Sequence, residues 1–448
     1  MDPDIITEAP DGINETPNEV TGAQPECTIY RVHRPLRNVN PKAYEPEVIA
    51  IGPYHRHDNN NEHLKMMEDH KLRYLKQLLA EKNPPDDVGR YVAALVGVEE
   101  KARRCYADQP KTLSTAQFIQ MLVLDGCFIV QLVRKFDRVK SNFNRVNSWD
   151  RNDPIFQRDW MINSLQRDLM LFENQLPFFI LCKLYDLIEA PNQHSRFLFL
   201  LHQFFSTLYP GKGCNPKSPV MPADLDKVKH LLDFIHSSWF PPLQRPGKGR
   251  VRFIIDSVTR LEEANVKFRI RSEGKTLFDV GFKEGVMTIP PLTIEDRTES
   301  FLRNLITYEQ YFQHTVVTDY VHEQYFQHTV VTDYVHFLDC IIDSSMDVEK
   351  LSQKGIINNW LGDAHTVAEM VNKLGDSVAG PGDSFVYGEM FEDVQKHCAK
   401  PMNEWRASLK RTYFNSPWAV ISVIVGAVLL ILTAVQTVFT ILQVVLKG

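Results

Sequence analysis

Cysteine is scarce in this chain of 448 residues, and so are the patterns that carry chemistry. The seven cysteines are odd in number and form no CxxC pair, which argues against a disulfide scaffold or a zinc ribbon. No HExxH pair and no EF-hand loop is present. Charge of one sign is not in large excess, since the formal net charge is -6. Met1 to Glu26 holds seven acids and no Lys or Arg. Taking those seven from the 56 acids leaves 49 against 50 basic residues, a body of charge +1. Such a body lacks the basic excess of a nucleic-acid binder. No basic n-region followed by an apolar h-region opens the chain, so no signal peptide is expected. The sequon Asn14-Glu15-Thr16 is then expected to stay unmodified.

What is present is enough apolar residue to build a core, 44% of the chain against 24% charged. Residues 1–26, with Pro3, Pro10, Pro17 and Pro25, read as a disordered acidic tail. Leu64, Met67, Leu72, Leu75, Leu78 and Leu79 predict an amphipathic helix ending near Pro84-Pro85. Phe118, Met121, Leu122, Leu124, Phe128, Ile129 and Leu132 predict a nearly buried one. Leu165 to Ile188 predicts a third, with Pro177 as a kink or break. Alternation at Val266, Phe268 and Ile270, then Leu277 to Val280 and Val286 to Ile289, with Gly274 and Gly285 at turns, predicts a small antiparallel sheet. Helices resume near Thr298. The expected fold is mainly α with a small antiparallel β patch. It has a helical lobe at 27–209, a linker at 210–224 and an α+β lobe at 225–410.

The last segment carries the strongest signal. From Trp418 to Leu446 there are 29 residues without a charge, and about 20 suffice to cross a bilayer core. Arg406, Lys410 and Arg411 precede the run, in or beside a juxtamembrane segment at 411–417, with Tyr413 and Trp418 at the interface. This predicts a single-pass, tail-anchored protein with a cytosolic N-terminal body, at the plasma membrane or an endomembrane. Ser422, Gly426, Thr433, Gln436, Thr440 and Gln443 fall on one stripe of that helix, which suits lateral association.

One fourteen-residue segment, EQYFQHTVVTDYVH, occurs twice, at Glu309–His322 and Glu323–His336. Two copies are too few for a solenoid, and the expected origin is a recent tandem duplication or gene-model error, with a lengthened binding helix as the alternative. His55, His57, His63 and His70 match no metal-ligand spacing. The loop from Gly211 to Ser218 looks like a phosphate loop, but Pro216 stands where the final Gly belongs and removes an N–H. Cys127 sits among Leu124, Phe128 and Ile129, which favours an inert core thiol. Asp125 and the run Glu173-Asn174-Gln175 lie in apolar stretches and need partners if buried. Arg303 and Asn304 are expected to supply them, in a polar network between the lobes. The rival reading is an enzyme built from Asp125, Glu173 and the His55/His57 loop.

These stretches resemble the plant domain-of-unknown-function 247 family. The resemblance runs through IYRVHRPLRNVNPKAYEPEVIAIGPYHR (29–56), LKMMEDHKLRYL (64–75), ARRCYA (102–107) and MLVLDGCFIVQL (121–132). It continues with DLMLFENQLPFFIL (168–181), SVTRLEEANVKF (257–268) and IEDRTESFLRNLITYEQ (294–310). GIINNWLG (355–362), NEWRASLKRTYFNSPWAVIS (403–422) and the terminal anchor complete it. Two features depart: the extra copy Glu323–His336, and Val32-His33-Arg34 where Val-Pro is common. The resemblance implies no established activity and no catalytic residues. Some grass members are similar to pollen-side determinants of self-incompatibility, which implies recognition rather than turnover. The expectation is therefore a membrane-tethered interaction protein with no cofactor, no metal and no nucleic acid. It would take an unidentified protein partner or a second copy of itself. A scaffold oligomerising through its anchor is the third reading.

Overall fold

The computed structural model describes residues 27–56, 62–82, 85–141, 152–189, 193–211, 224–239, 253–272, 276–312, 329–380, 385–403, 405, 408 and 417–445. Among them the chain is mostly helical. Helix α1 (Arg34–Val39) starts with Pro35 in its first turn, where the ring costs no hydrogen bond, and a 3-10 turn at Pro41–Tyr44 follows. Helices α2 (Glu62–Ala80), α3 (Val88–Val96), α4 (Glu99–Arg104) and α5 (Thr115–Ser141) come next. Helix α5 is apolar almost all round, so it is buried, and α2, α3 and the later α7 (Phe178–Ile188) and α8 (His194–Phe205) pack on it. Along α2 the buried positions are Leu64, Met67, Lys71, Tyr74, Leu75 and Leu78, whereas Leu72, expected on that face, is exposed.

The third expected helix is interrupted over nine residues and is not merely kinked. Helix α6 (Asp159–Asp168) stops, residues 169–177 cross without helix, and α7 starts after Pro177. The side chains of Asn174 and Gln175 explain the break. Asn174 Nδ2 donates to Asp168 O at 2.9 Å, and Gln175 Nε2 donates to Leu169 O and Leu171 O at 2.9 and 2.8 Å. They add side-chain donors to carbonyls at the break, two of which, Asp168 O and Leu171 O, also accept from the N–H groups of Leu171 and Asn174.

Helices α9 (Leu231–Trp239) and α10 (Val258–Glu263) lead into a sheet. Strands β1 (Lys267–Ile270), β2 (Gly281–Lys283) and β3 (Val286–Ile289) take the order β1-β3-β2. The β2–β3 hairpin is antiparallel, turning at Glu284 and Gly285, both at positive φ (51° and 78°), as a two-residue turn requires. The expected antiparallel patch is nevertheless a mixed sheet, because β1 pairs parallel to β3. The cause is Leu277 and Phe278: expected in a strand, they are buried in a turn, and the Leu277 N–H donates to Tyr209 OH at 2.9 Å. A second, parallel pair joins β4 (Leu292–Ile294) to β5 (Ile357–Asn359). Gly274 and most of the expected linker lie outside the described residues.

Helices α11 (Thr298–Phe312), α12 (Val330–Ile341), α13 (Ser345–Gln353), α14 (Ala364–Leu374) and α15 (Gly388–Cys398) finish the body. Helix α11 packs against the 3-10 turn at Pro41–Tyr44, so an element of the second expected lobe touches the first. Buried hydrophobics of both form one contiguous cluster from Ile29 to Val394. Glu309–Phe312 of the first repeat copy ends α11, and Thr329–His336 of the second opens α12. Helix α16 (Pro417–Val445) is separate in character. Its stretch Ile424–Gln443 is long and apolar enough to cross a membrane and is not buried in the body. Thr115–Lys140 within α5 passes the same length test but is mostly buried.

Candidate functional site

Backbone polar groups must be satisfied when buried, and residues 45–56 run along the core without helix or strand. Their partners are side chains from α2, α5, α6 and the break after α6. The Asp168 carboxylate accepts from the N–H groups of Glu47, Val48 and Ile49, at 2.7 Å from Val48. It also accepts from Arg167 Nη1 at 2.7 Å. Asn174 spans the two peptides that flank Ala50, accepting from Ile51 N at 2.6 Å and donating to Ile49 O at 3.0 Å. Asp125 Oδ2 accepts from Gly52 N at 3.0 Å. Lys71 Nζ donates to Ala50 O, Glu68 Oε1 and Asp125 Oδ1 at 2.5, 2.6 and 2.7 Å. Gly52 adopts φ 71°, and a Cβ there would lie 2.7 Å from Gln175 O, so only glycine fits.

Glu173 clasps the earlier part of the same segment. Its Oε1 accepts from Val32 N and Arg37 Nη2, both at 2.5 Å, while Oε2 lies 3.3 Å from His55 Nε2. Gln175 reaches α9 by accepting from Leu232 N at 3.3 Å, and its own carbonyl accepts from Tyr106 OH at 3.0 Å. Burial works to raise the Glu173 carboxyl, but His55, Arg37 and the Val32 N–H outweigh it and hold it below the ordinary carboxylate range. At Asp168 burial prevails over Arg167 and the three amides, and pushes the carboxyl up to about 6.

Five of the six residues predicted to form a network thus join one clasp, but with different partners from those expected. Arg303 answers neither Asp125 nor Glu173. It lies on α11 one turn beyond Glu299, to which its Nε donates at 2.8 Å, and its Nη2 donates to Lys373 O at 3.1 Å. The cations at the two carboxylates are instead Lys71 and Arg56 for Asp125, and Arg37 for Glu173. Asn304 does bridge, accepting from Phe172 N at 2.8 Å and donating to Ala43 O at 2.9 Å. Lys71 and Asp168 were missed. The spacing 64, 67, 71, 75, 78 runs through Lys71, so a lysine on an apolar stripe was the available signal. A second missed pair is alike: buried Lys135 donates to Asp153 Oδ2 at 2.7 Å.

Of the remaining candidates, Cys127 is fully buried, and burial pushes its thiol up to about 12. His63 is exposed, and His57 and residues 212–218 lie outside the described residues. Among the described residues no group of three or more His, Cys, Asp or Glu is placed to hold a metal ion. On α16, Ser422, Thr433, Gln436 and Gln443 are exposed and Gly426 half-buried, while the Thr440 side chain lies outside the described residues. The Thr433 hydroxyl donates to Leu429 O of its own helix at 2.8 Å.

Chemically, the clasp holds backbone through buried carboxylates that also meet Lys71, Arg56, Arg37 and Arg167. The lone pairs of Asp168, and one oxygen of Glu173, face amides and guanidinium groups at hydrogen-bond distance. A cleft of about 170 Å³ lies elsewhere, beside His336, Asp339, Asn372 and Asp376. Another, of about 240 Å³, is lined by Arg134, Arg138 and Arg196 together with Asp137 and Glu189.

A family described as plant protein of unknown function, DUF247, matches residues 29–432. A UPF0481 protein of Arabidopsis thaliana is 30% identical, over 93% of this chain and 87% of its own. A putative UPF0481 protein of the same plant is 21% identical, over 91% and 89%. No solved structure matches. The match spans the clasp, the sheets and about the first half of α16, and on that extent the chain belongs to the DUF247 family of plant proteins of unknown function.

Proposed function

We propose that this chain is a membrane-tethered interaction protein that works by recognition and not by turnover. One observation carries the reading: the carboxylates that would serve as acids or bases are buried, and each is bonded to backbone amides and to a neighbouring Lys or Arg. Asp168 accepts from three amides, Asp125 and Glu173 from one each, and all three side chains are at most 1% exposed. A general acid or base must reach a substrate proton at hydrogen-bond distance, which this burial opposes. Helix α16 supports the tether. Its 29 residues span roughly 43 Å at 1.5 Å each, more than the ~30 Å bilayer core. The body then faces the cytosol, with basic residues on the near side of the helix.

The test pairs two baits from plant membranes in mild detergent, the full chain and a chain stopped at Ser416. A stoichiometric protein retained by both places recognition in the body, and one lost on truncation places it at the anchor. Absence of any stoichiometric partner, together with turnover of a small molecule that Asp125→Asn abolishes, sinks the reading.

A further inference from the structure

We propose that the end of the body marked by Met402 and Trp405 docks on an anionic bilayer surface. The inference rests on the membrane tether proposed above. Met402 and Trp405 are large apolar side chains left 75% and 69% exposed. Asn403, between them, is buried, and its Nδ2 donates to His397 O at 2.8 Å. The segment is therefore pinned to the end of α15 through Asn403 while Met402 and Trp405 stay in solvent.

Charge singles out the same place. From Lys400 to Ser416 the sequence has Lys400, Arg406, Lys410 and Arg411 against Glu404 alone. That is +3 within seventeen residues, whereas residues 27–448 as a whole sum to +1. Tryptophan prefers the headgroup level of a bilayer, where its ring is half in apolar surroundings, and lysine and arginine are drawn to anionic headgroups. Reach is also limited. The eleven residues 406–416 span at most about 40 Å when fully extended, so Trp405 cannot leave the neighbourhood of the helix entry. A bilayer is the surface always within that radius, which favours it over a protein partner as the occupant.

The test uses the full chain reconstituted into vesicles of phosphatidylcholine and phosphatidylserine in equal parts, with brominated acyl chains that quench tryptophan on contact. Trp405→Phe and Trp418→Phe are compared with the parent chain. Docking predicts that each substitution removes a share of the quenching, and that the Trp405 share shrinks in phosphatidylcholine alone. If Trp418→Phe lowers quenching and Trp405→Phe does not, the tether stands and the docking is wrong. A Trp405 share equal in both lipids refutes recognition of anionic headgroups. Should neither substitution matter and the chain fail to float with vesicles, the tether itself fails. Trp405 is exposed, so its replacement by Phe leaves the core intact.

Discussion

Replacing Glu173 by alanine removes the acceptor for two donors at once, the buried Val32 N–H and the Arg37 guanidinium. Breaking a buried ion pair from one side costs roughly 3–5 kcal/mol, because the remaining charge is left uncompensated. Arg37 is a quarter exposed and lies 3.9 Å from Glu45, so it can turn toward water and a second carboxylate. The Val32 amide has no such escape, and an orphaned buried donor costs about 1–3 kcal/mol. The expected loss for Glu173→Ala is therefore about 3 kcal/mol. Glu173→Gln keeps an acceptor for Val32 and should lose about half as much. Urea unfolding of the full chain in mild detergent reads both, and hydrogen exchange at Val32 shows whether the segment opens locally first. Acid gives an independent check. The native Glu173 pKa lies below its ordinary value of 4.5, so the unfolded chain binds the proton first as pH falls. The ionised clasp thus stabilises fully above that value, its contribution falls as pH drops, and the gap between parent and Glu173→Gln should narrow below pH 4.5. An alanine variant within about 0.5 kcal/mol of the parent at neutral pH would refute the claim that this carboxylate holds the segment.

Other consequences are equally open to measurement. Burial depresses the His230 pKa to about 4, so between pH 6.5 and 4 the unfolded chain binds the extra proton and stability falls, by about 3 kcal/mol at most. His230→Gln should flatten that fall. Asp168, raised to about 6, pulls the other way, so the difference between variant and parent across a pH series of melting curves is the readout. Gly52→Ala meets Gln175 O at 2.7 Å with φ 71°, and a loss of at least about 1–2 kcal/mol is expected in the same urea assay; neutrality would contradict the described turn. Deleting residues 313–326 leaves the sequence Glu309–Phe312, Gln327, His328, Thr329 and every described residue in place. No described contact is removed, so the deletion should melt no lower than the parent. Glu309, which accepts from Val331 N and Thr332 N at 3.0 and 2.8 Å, would still cap α12. A variant that fails to fold would show that the second copy is structurally required.

The elements with strong local signals were legible in the sequence. An uncharged run of 29 residues underlies one long apolar helix, and apolar spacing located α2 and the buried middle of α5, which runs on nine residues past Leu132, because periodicity reports the buried face directly. Glu173, Asn174, Gln175 and Asp125 were legible as polar groups in apolar stretches, hence as groups needing partners. Who those partners are was not. Arg37 is 136 residues from Glu173, Lys71 is 54 from Asp125, and nothing local selects them over Arg303. Likewise, the break after α6 depends on Asn174 and Gln175 capping its carbonyls, and the parallel β1–β3 pair depends on Leu277 and Phe278 turning into the core. By itself the sequence determined which surfaces and which charges had to be buried. Only the tertiary structure decided what they met, because a buried ion or amide is satisfied by whatever group packing brings within about 3 Å, at any distance along the chain.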